Sequence, residues 1–423
     1  MTKLIQLPKD WKRVKVSSIA ELFRGINYTK DVSSNNPFKD SLPILRGNNI
    51  NVELNFDDLV YVPKTLVKKE QFVYKDDIIF AMSSGSKHLV GKSAVAKNDF
   101  YGSYGAFCAL LRISGDVNKK YISYVFKGNS YRKLISEIAK GTSINNLKRE
   151  HILDFELPLP PKPTQQAIVS KIEELFSELD KGIEQLKTAQ QQLKTYRQSV
   201  LKWAFEGKLT NENVKEGKLP EGWESLELGK VCSLITDGKH GDCENEENSG
   251  YYFLSAKDVR NNTLLWKDAR QITKTGFEET HRRTNLKPGD ICLVNTGATI
   301  GRISIAPDDE RTFRSTFQKS VAVIKCIPSL LDNKYVKYLL QGDVKKLVKV
   351  SSGTAVPNLL LGTLKGHLIN LPSSLDEQNI IVQEIESRLS VADKMEESIT
   401  QSLQRAEGLR QSILKKAFEG RLV

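Results

Sequence analysis

This 423-residue sequence is poor in the features that build disulfide, membrane and metal proteins. Its five cysteines, Cys108, Cys232, Cys243, Cys292 and Cys326, are odd in number, scattered, and never spaced Cys-x-x-Cys. That spacing argues against a disulfide framework and a zinc site, and leaves free thiols in a reducing cytoplasm. No apolar run approaches the length of a membrane span, about 18 residues. The opening stretch Met1 to Pro8 has neither a long apolar core nor a small-residue cleavage site, so no signal peptide is expected. The histidines, His88, His151, His240, His281 and His367, form no His-x-x-x-His pair. An Asn/Asp-Pro-Pro-Tyr methylation motif is missing, as are a glycine-rich cofactor turn on a strand–helix unit and a Walker A motif with its acidic strand. Catalysis, a cofactor and a metal are therefore not expected. The acidic run Asp242 to Glu247 lies among Gly and Asn without a repeat partner and reads as a solvated loop. Acidic residues are also outnumbered, 51 against 63 basic ones, for a net charge of +12. That balance suits a polyanion partner, of which nucleic acid is the common one.

What the chain has is itself, twice. Leu7-Pro-Lys-Asp-Trp11 recurs 212 positions later as Leu219-Pro-Glu-Gly-Trp223. Gly91-Lys-Ser-Ala-Val-Ala96 recurs after 210 as Gly301-Arg-Ile-Ser-Ile-Ala306. Gly141-Thr-Ser-Ile-Asn-Asn-Leu147 recurs after 212 as Gly353-Thr-Ala-Val-Pro-Asn-Leu359. Arg197-Gln-Ser-Val-Leu-Lys-Trp-Ala-Phe-Glu-Gly-Lys-Leu209 returns after 213 as Arg410-Gln-Ser-Ile-Leu-Lys-Lys-Ala-Phe-Glu-Gly-Arg-Leu422. A period of half the chain is far too long for a solenoid. One unit is used twice, its ends alike and its beginnings divergent, as matched scaffolds carrying different readers would be.

Each half ends in a long amphipathic helix. Ile168, Ile172, Leu175, Phe176, Leu179, Ile183, Leu186, Leu193, Val200 and Ala204 form one stripe in steps of three and four. Ile381, Ile385, Leu389, Ala392, Met395, Ile399, Leu403, Leu409, Ile413 and Ala417 form the other. Thr164, after the prolines of 157–163, reads as the first N-cap, and Ser374-Leu-Asp-Glu377 as a capping box. Gly207 and Gly420 stand where C-terminal glycines belong. Each helix then has about 42 residues and roughly 60 Å. Stripes that long need a partner, and the two helices can serve each other as an antiparallel coiled coil. The preceding segments read as strand-rich α/β, with strands at Ile78–Ala81, Ile291–Val294 and Val321–Ile324. Short helices are expected at Tyr121–Phe126 and Lys334–Leu340, and a polar linker at Asn211–Gly222. The expected class is α+β: two mixed α/β reading domains, each followed by a long helix, with pseudo-twofold symmetry. The expected boundaries are 1–160, 161–208, 209–373 and 374–423.

This order of motifs resembles the specificity subunits of type I restriction-modification systems. It runs Leu-Pro-x-x-Trp, variable segment, Gly-Thr-x-x-x-Asn-Leu, Leu-Pro, a helix start containing Gln, and Ala-Phe-Glu-Gly-Lys/Arg-Leu, all repeated. The resemblance covers nearly the whole chain. It implies two target recognition domains that each read half of a split double-stranded DNA sequence. It also implies spacer helices that dock two methyltransferase subunits, with restriction/translocase subunits completing the enzyme. The chain itself would be non-catalytic, directing adenine methylation and restriction. A self-contained methyltransferase or nuclease would need motifs that are missing, and a coiled-coil adaptor would leave two strand-rich domains and the basic charge unexplained.

Several polar residues suit contact with DNA. The segment Gly85 to Ser93 has five residues between its glycines where a P-loop needs four, so it reads as a glycine-rich loop bringing Ser84, Lys87, His88 and Lys92 near DNA. Thr296, Thr299 and Arg302 lie in its repeat partner. Arg46, Asn48 and Asn49 match Lys257 and Arg260, and Asn and Arg are types that read adenine and guanine bidentately. They suit an ordinary loop as well. Thr142, Asn146 and Lys148, with Arg149, can hold phosphates, as can their counterparts Thr354 and Asn358, or the turn can simply close the domain. Arg314, Gln318 and Lys319, with Arg311 and Ser315, make a further polar-basic run.

Overall fold

The computed structural model describes residues 7–51, 53–83, 90–139, 146–211, 213–260, 262–351 and 357–423. They fall into two compact units, Met1–Leu186 with Thr400–Val423, and Lys187–Ile399. The division cuts both long helices, so each unit holds a reader, the beginning of the helix that follows it and the end of the other helix.

In the first unit the chain runs through β1 (Lys12–Lys15), β2 (Ala20–Arg24), β3 (Ser41–Leu45), β4 (Val60–Pro63), β5 (Ile78–Ala81), β6 (Ser93–Val95), β7 (Ser103–Tyr104) and β8 (Cys108–Ile113). Helices α1 (Lys119–Lys127), α2 (Asn129–Ala139) and α3 (Arg149–Leu153), then β9 (Glu156–Leu159), lead into α4 (Lys162–Phe205). The strands form a four-stranded sheet β2-β8-β5-β6, a three-stranded sheet β4-β3-β7 and the pair β1-β9. β5 is an unbroken apolar run because both its faces are covered. Ile78 and Phe80 join the core with α1, α2, α4 and the end of the second long helix. Ile79 and Ala81 join the core with Leu45 and Tyr104 of the smaller sheet.

The second unit repeats this plan with β10 (Trp223–Glu227), β11 (Cys232–Asp237), β12 (Tyr252–Leu254), β13 (Val259–Arg260), β14 (Thr263–Leu264), β15 (Arg270–Gln271), α5 (Lys274–Thr284), β16 (Ile291–Val294), β17 (Ile303–Ile305), α6 (Glu310–Phe313), β18 (Ser315–Phe317), β19 (Val321–Cys326), α7 (Asn333–Lys349), α8 (Leu361–Lys365), β20 (Leu368–Pro372) and α9 (Leu375–Phe418). Its sheets are β11-β19-β16-β17, β15-β12-β18 and β10-β20, strand for strand those of the first unit. The additions are the hairpin β13-β14 and the helices α5 and α6. Cys108, Cys243, Cys292 and Cys326 are buried free thiols and Cys232 is a half-buried one.

The recurring motifs turn out to bind one another. Phe205, at the end of α4, stacks edge-on against Tyr335 of the second reader at 5.2 Å. Phe418, at the end of α9, does the same to Tyr121 of the first at 5.6 Å. Gly207 and Gly420 have φ of 75° and 72°, and a Cβ on either would meet the ring of Pro220 or Pro8. The Ala-Phe-Glu-Gly tail of each helix therefore fits the Leu-Pro-x-x-Trp entry of the reader it closes. Arg410 pairs with Asp180 in the first unit, and Arg197 pairs with Asp393 (2.5 Å) and Glu396 (2.9 Å) in the second. Low numbers meet high ones in both, so the two helices run antiparallel within each unit.

Three local expectations need correction. α4 starts two residues before Thr164, because Pro163 is tolerated in a first turn, where its missing N–H has no partner to lose. Both helices have 44 residues. Ser374 does accept the Asp376 N–H at 3.1 Å, but Glu377 accepts the Trp223 indole N–H at 2.8 Å. Met395 and Leu409, placed on the apolar stripe, are half-exposed at 52% and 51%, while Ala406 and Leu414 are buried.

Candidate nucleic-acid interface

One end of each four-stranded sheet gathers the loops that differ between the units. In the first reader β2, β5 and β8 pair there through Arg24↔Ala109 and Ala81↔Cys108, and from that end the chain leaves as 25–26, 82–83 and 105–107 and returns as 90–92. In the second, Asp237↔Ala322 and Val294↔Val321 release loops 238–240, 295–302 and 318–320. The same backbone bonds root both sets. The Ala81 carbonyl accepts from Gly91 at 2.8 Å and the Lys92 carbonyl from Ala81 at 2.9 Å. Val294 exchanges the same two bonds with Gly301 and Arg302, at 2.9 and 2.8 Å. Gly91 and Gly301 have φ of 74° and 87°, and a Cβ would lie 2.6 Å from Ile135 or 2.5 Å from Val344. A helix of the reader thus presses against each loop, which only glycine allows.

The Asn-Leu motif closes the same end. Leu147 donates to the Met82 carbonyl at 2.7 Å and Leu359 to that of Asn295 at 2.8 Å. Asn146 bridges to Ser83 and Asn358 to Thr296, and Thr296 Oγ1 lies 2.9 Å from Asn358 Oδ1. The motif therefore shapes the loop while leaving Asn146 and Lys148 exposed beside it. Arg149, exposed as well, donates to the Leu22 carbonyl.

Lys92, Asn146 and Lys148 in the first reader, and Thr296, Thr299, Arg302, Gln318, Lys319 and Asn358 in the second, are thus brought together. Lys257 and Arg260 stand exposed just beyond, since Gln318 donates to Leu254 at 2.9 Å. Ser84, Lys87, His88, Thr142 and Thr354 lie outside the described residues.

The structure places others elsewhere. Asn49 is 1% exposed, and its amide accepts from the Arg46 N–H and donates to the carbonyls of Asn55 and Asp57. No edge is left to read adenine. Arg46 spends its guanidinium on the Asp58 carboxylate at 2.9 Å and carbonyl at 2.7 Å, and exposed Asn48 leans on the same carboxylate at 3.4 Å. These three side chains pin loop 47–58. Asp258 is the equivalent pin in the second reader, accepting from the Ser255 N–H at 2.8 Å. Arg314 sits at the opposite end of β18, beside Tyr252. Ser315 is buried, and Arg311 stacks on Trp266 at 4.4 Å. The Arg311 hydrogen bonds also hold the Asp309 carboxyl down to about 2. Arg270 pairs with Asp242 and holds its carboxyl below the usual carboxylate range, and the acidic run is exposed apart from the buried Cys243. Among the described residues no cluster of His, Cys, Asp and Glu could hold a metal.

Sequence reasoning missed Lys239 and His240. Lys239 bridges to Gln318 and accepts from Lys319 at 3.1 Å, and His240 lies exposed at 3.1 Å from Asp237. The available signal was the repeat itself: Gly238-Lys-His stands 213 positions after Gly25-Ile-Asn.

Two copies of one sheet plan, each closed by the start of one long helix and the end of the other, define a duplicated scaffold. Residues 8–188 and 220–405 each match the type I restriction modification DNA specificity domain, and the chain belongs to that family. It is 32% identical to the type I restriction enzyme StySPI specificity subunit of Salmonella potsdam, over 99% of this chain and 90% of that one. With the EcoKI specificity subunit of Escherichia coli K12 it shares 30% identity over the same shares. The fold is similar to that of a type I restriction-modification chain solved to explain complex assembly and conformational transition, with a TM-score of 0.73, 19% identity and coverage of 98% and 99%. The HsdS subunit of Thermoanaerobacter tengcongensis gives a TM-score of 0.58 at 18% identity, covering 98% of each chain. No helix among the described residues is long and apolar enough to cross a membrane.

Proposed function

We propose that this chain reads a split DNA target and directs adenine methylation and restriction to it. It does so as the non-catalytic specificity subunit of a cytoplasmic complex. The observation that carries this reading is the duplicated sheet end, with one backbone framework and two different sets of polar side chains. The first target recognition domain, residues 1–160, reads one half through Lys92, Asn146 and Lys148. The second, within 209–373, reads the other through Lys239, His240, Lys257, Arg260, Thr296, Thr299, Arg302, Gln318, Lys319 and Asn358. The spacer helices 161–208 and 374–423 set the separation, and half-sites one DNA turn apart lie about 34–36 Å from each other. The near-identical segments 197–209 and 410–422 offer two equivalent docking sites for two methyltransferase subunits, with restriction/translocase subunits joining through that assembly. Mapping methylated adenines in cells that express the complex tests this. A motif of two short sequences separated by unspecified bases is expected, and a single contiguous motif would overturn it.

A further inference from the structure

Phe107 is the most exposed aromatic side chain among the described residues, at 69%. Several other exposed rings are engaged: Phe56 packs on Phe100, Tyr101 on Phe72, and Tyr74 lies under the Arg112 guanidinium. Among the described residues Phe107 has no ring or cation over it. An apolar ring left in water forfeits the stabilisation burial would give, so a loop free to fold would tuck it away.

This loop is not free. The Phe107 carbonyl accepts from Met82 at 2.8 Å and from Ser83 at 3.2 Å. On one side Gly105 donates to Leu45 at 2.9 Å; on the other Cys108, 1% exposed, donates to Gly105 at 2.8 Å. Its backbone is therefore sewn to the loop that carries Lys92 and to Ser83, which bridges Asn146. The backbone of Phe107 thus lies against the segments that lead to Lys92 and Asn146. In the second reader the same backbone position, with its carbonyl accepting from Asn295 at 3.1 Å, is Ser320.

We propose that Phe107 is an apolar wedge that enters the DNA of the first half-target and partly unstacks one base step, a device the second reader lacks. Apolar side chains that enter between base steps unstack and kink the duplex, and a rigid backbone lets the ring act without loss of loop entropy. The selectivity that results is for a deformable step, such as a pyrimidine–purine one. The proposal rests on the DNA-reading function above.

The test uses the full chain assembled with its modification subunits on duplexes carrying the mapped target. The probe is 2-aminopurine placed in turn at each first-half position other than the methylated adenine. One position should brighten on binding. Phe107→Ala should abolish that signal and weaken binding to the intact target by on the order of tenfold. The slope of affinity against salt should stay unchanged, since no phosphate contact is removed. Phe107→Trp should restore the signal. Ser320→Ala should leave the first-half signal intact. Wild-type affinity and fluorescence in Phe107→Ala would overturn the wedge and leave the reading of DNA standing. Failure of the unmutated assembly to bind its target with a salt dependence would overturn both.

Discussion

At the residue scale, adjacent positions in one loop do opposite work. Gly91 is there for the fold, since its φ of 74° and the Ile135 methyl 2.6 Å from a would-be Cβ both exclude a side chain. Gly91→Ala should cost about 1–3 kcal/mol of stability in chemical denaturation, because strain and overlap add. Lys92, next to it, is half-buried, with no hydrogen bond or ion pair to its ammonium among the described residues, and its removal should shift stability by under about 0.5 kcal/mol. Lys92→Ala should instead weaken binding to every sequence and reduce the salt slope by about 1, measured by titration at several ionic strengths. A loss confined to the cognate target would make Lys92 a base reader instead. Gly301 and Arg302 should behave as the same pair in the second reader. The contrast also explains why the sequence misled at Arg46 and Asn49. Residue type announced hydrogen-bonding capacity, but the carbonyls of Asn55 and Asp57 and the Asp58 carboxylate, which consume it, lie up to twelve residues downstream.

At the element scale, the starts of the long helices hold the readers to the spacer. Gln165 is 2% exposed; its Oε1 accepts the Asn118 N–H and its Nε2 donates to the Pro160 carbonyl, both at 2.8 Å. Gln378 is fully buried and ties Asp332 and Leu330 in the same way, each at 2.9 Å. Asn118 and Asp332 in turn cap α1 and α7 through Tyr121 and Tyr335. Leucine at 165 or 378 would strand a buried donor and a buried acceptor, each costing about 1–3 kcal/mol. Gln165→Leu should therefore lower the urea midpoint by an amount set by a loss of a few kcal/mol, and a change within error would show that water replaces the amide. Much at this scale was legible. The apolar runs Ile78–Ala81 and Ile291–Val294 are strands with those bounds, and both long helices follow their period. What the period could not give was α5 and α2, whose burial depends on partners distant in sequence. Nor could it tell that the end of each stripe is covered by a reader, as Ile413 and Val200 are. A stripe says that a helix is covered and leaves open by what.

At the scale of the whole molecule, the reader that a helix end closes is not the one that precedes it. The first reader's core takes in Ile413, Leu414, Ala417 and the partly buried Phe418, contributed by the last turns of α9. The second takes in Val200 and Ala204 with the partly buried Leu201 and Phe205, from the last turns of α4. A fragment ending near Thr210 would keep one reader without its closing segment, and one closing segment without its reader. The two fit each other in a second copy. Segments 197–209 and 410–422 differ at three positions, and of these only Val200 for Ile413 is fully interior; Trp203 and Lys416 both face solvent. The exchange forfeits one methylene, roughly 0.5–1.5 kcal/mol. Against that, reburying three large apolar side chains at each end contributes on the order of 5–10 kcal/mol gross per end, before the cost of association. The fragment should therefore form a homodimer in light scattering at micromolar concentration. Carrying two copies of the first reader, it should bind a palindromic split site built from the first half-target and its inverted repeat. Arg197 should then meet Asp180 of the other copy, as Arg410 meets it in the intact chain. Reversing the charge of either alone should weaken the dimer, and reversing both should restore it. A well-folded monomer would mean that the closing segments are dispensable to the reader cores, and the exchange of helix ends would no longer explain why their sequences are so nearly the same.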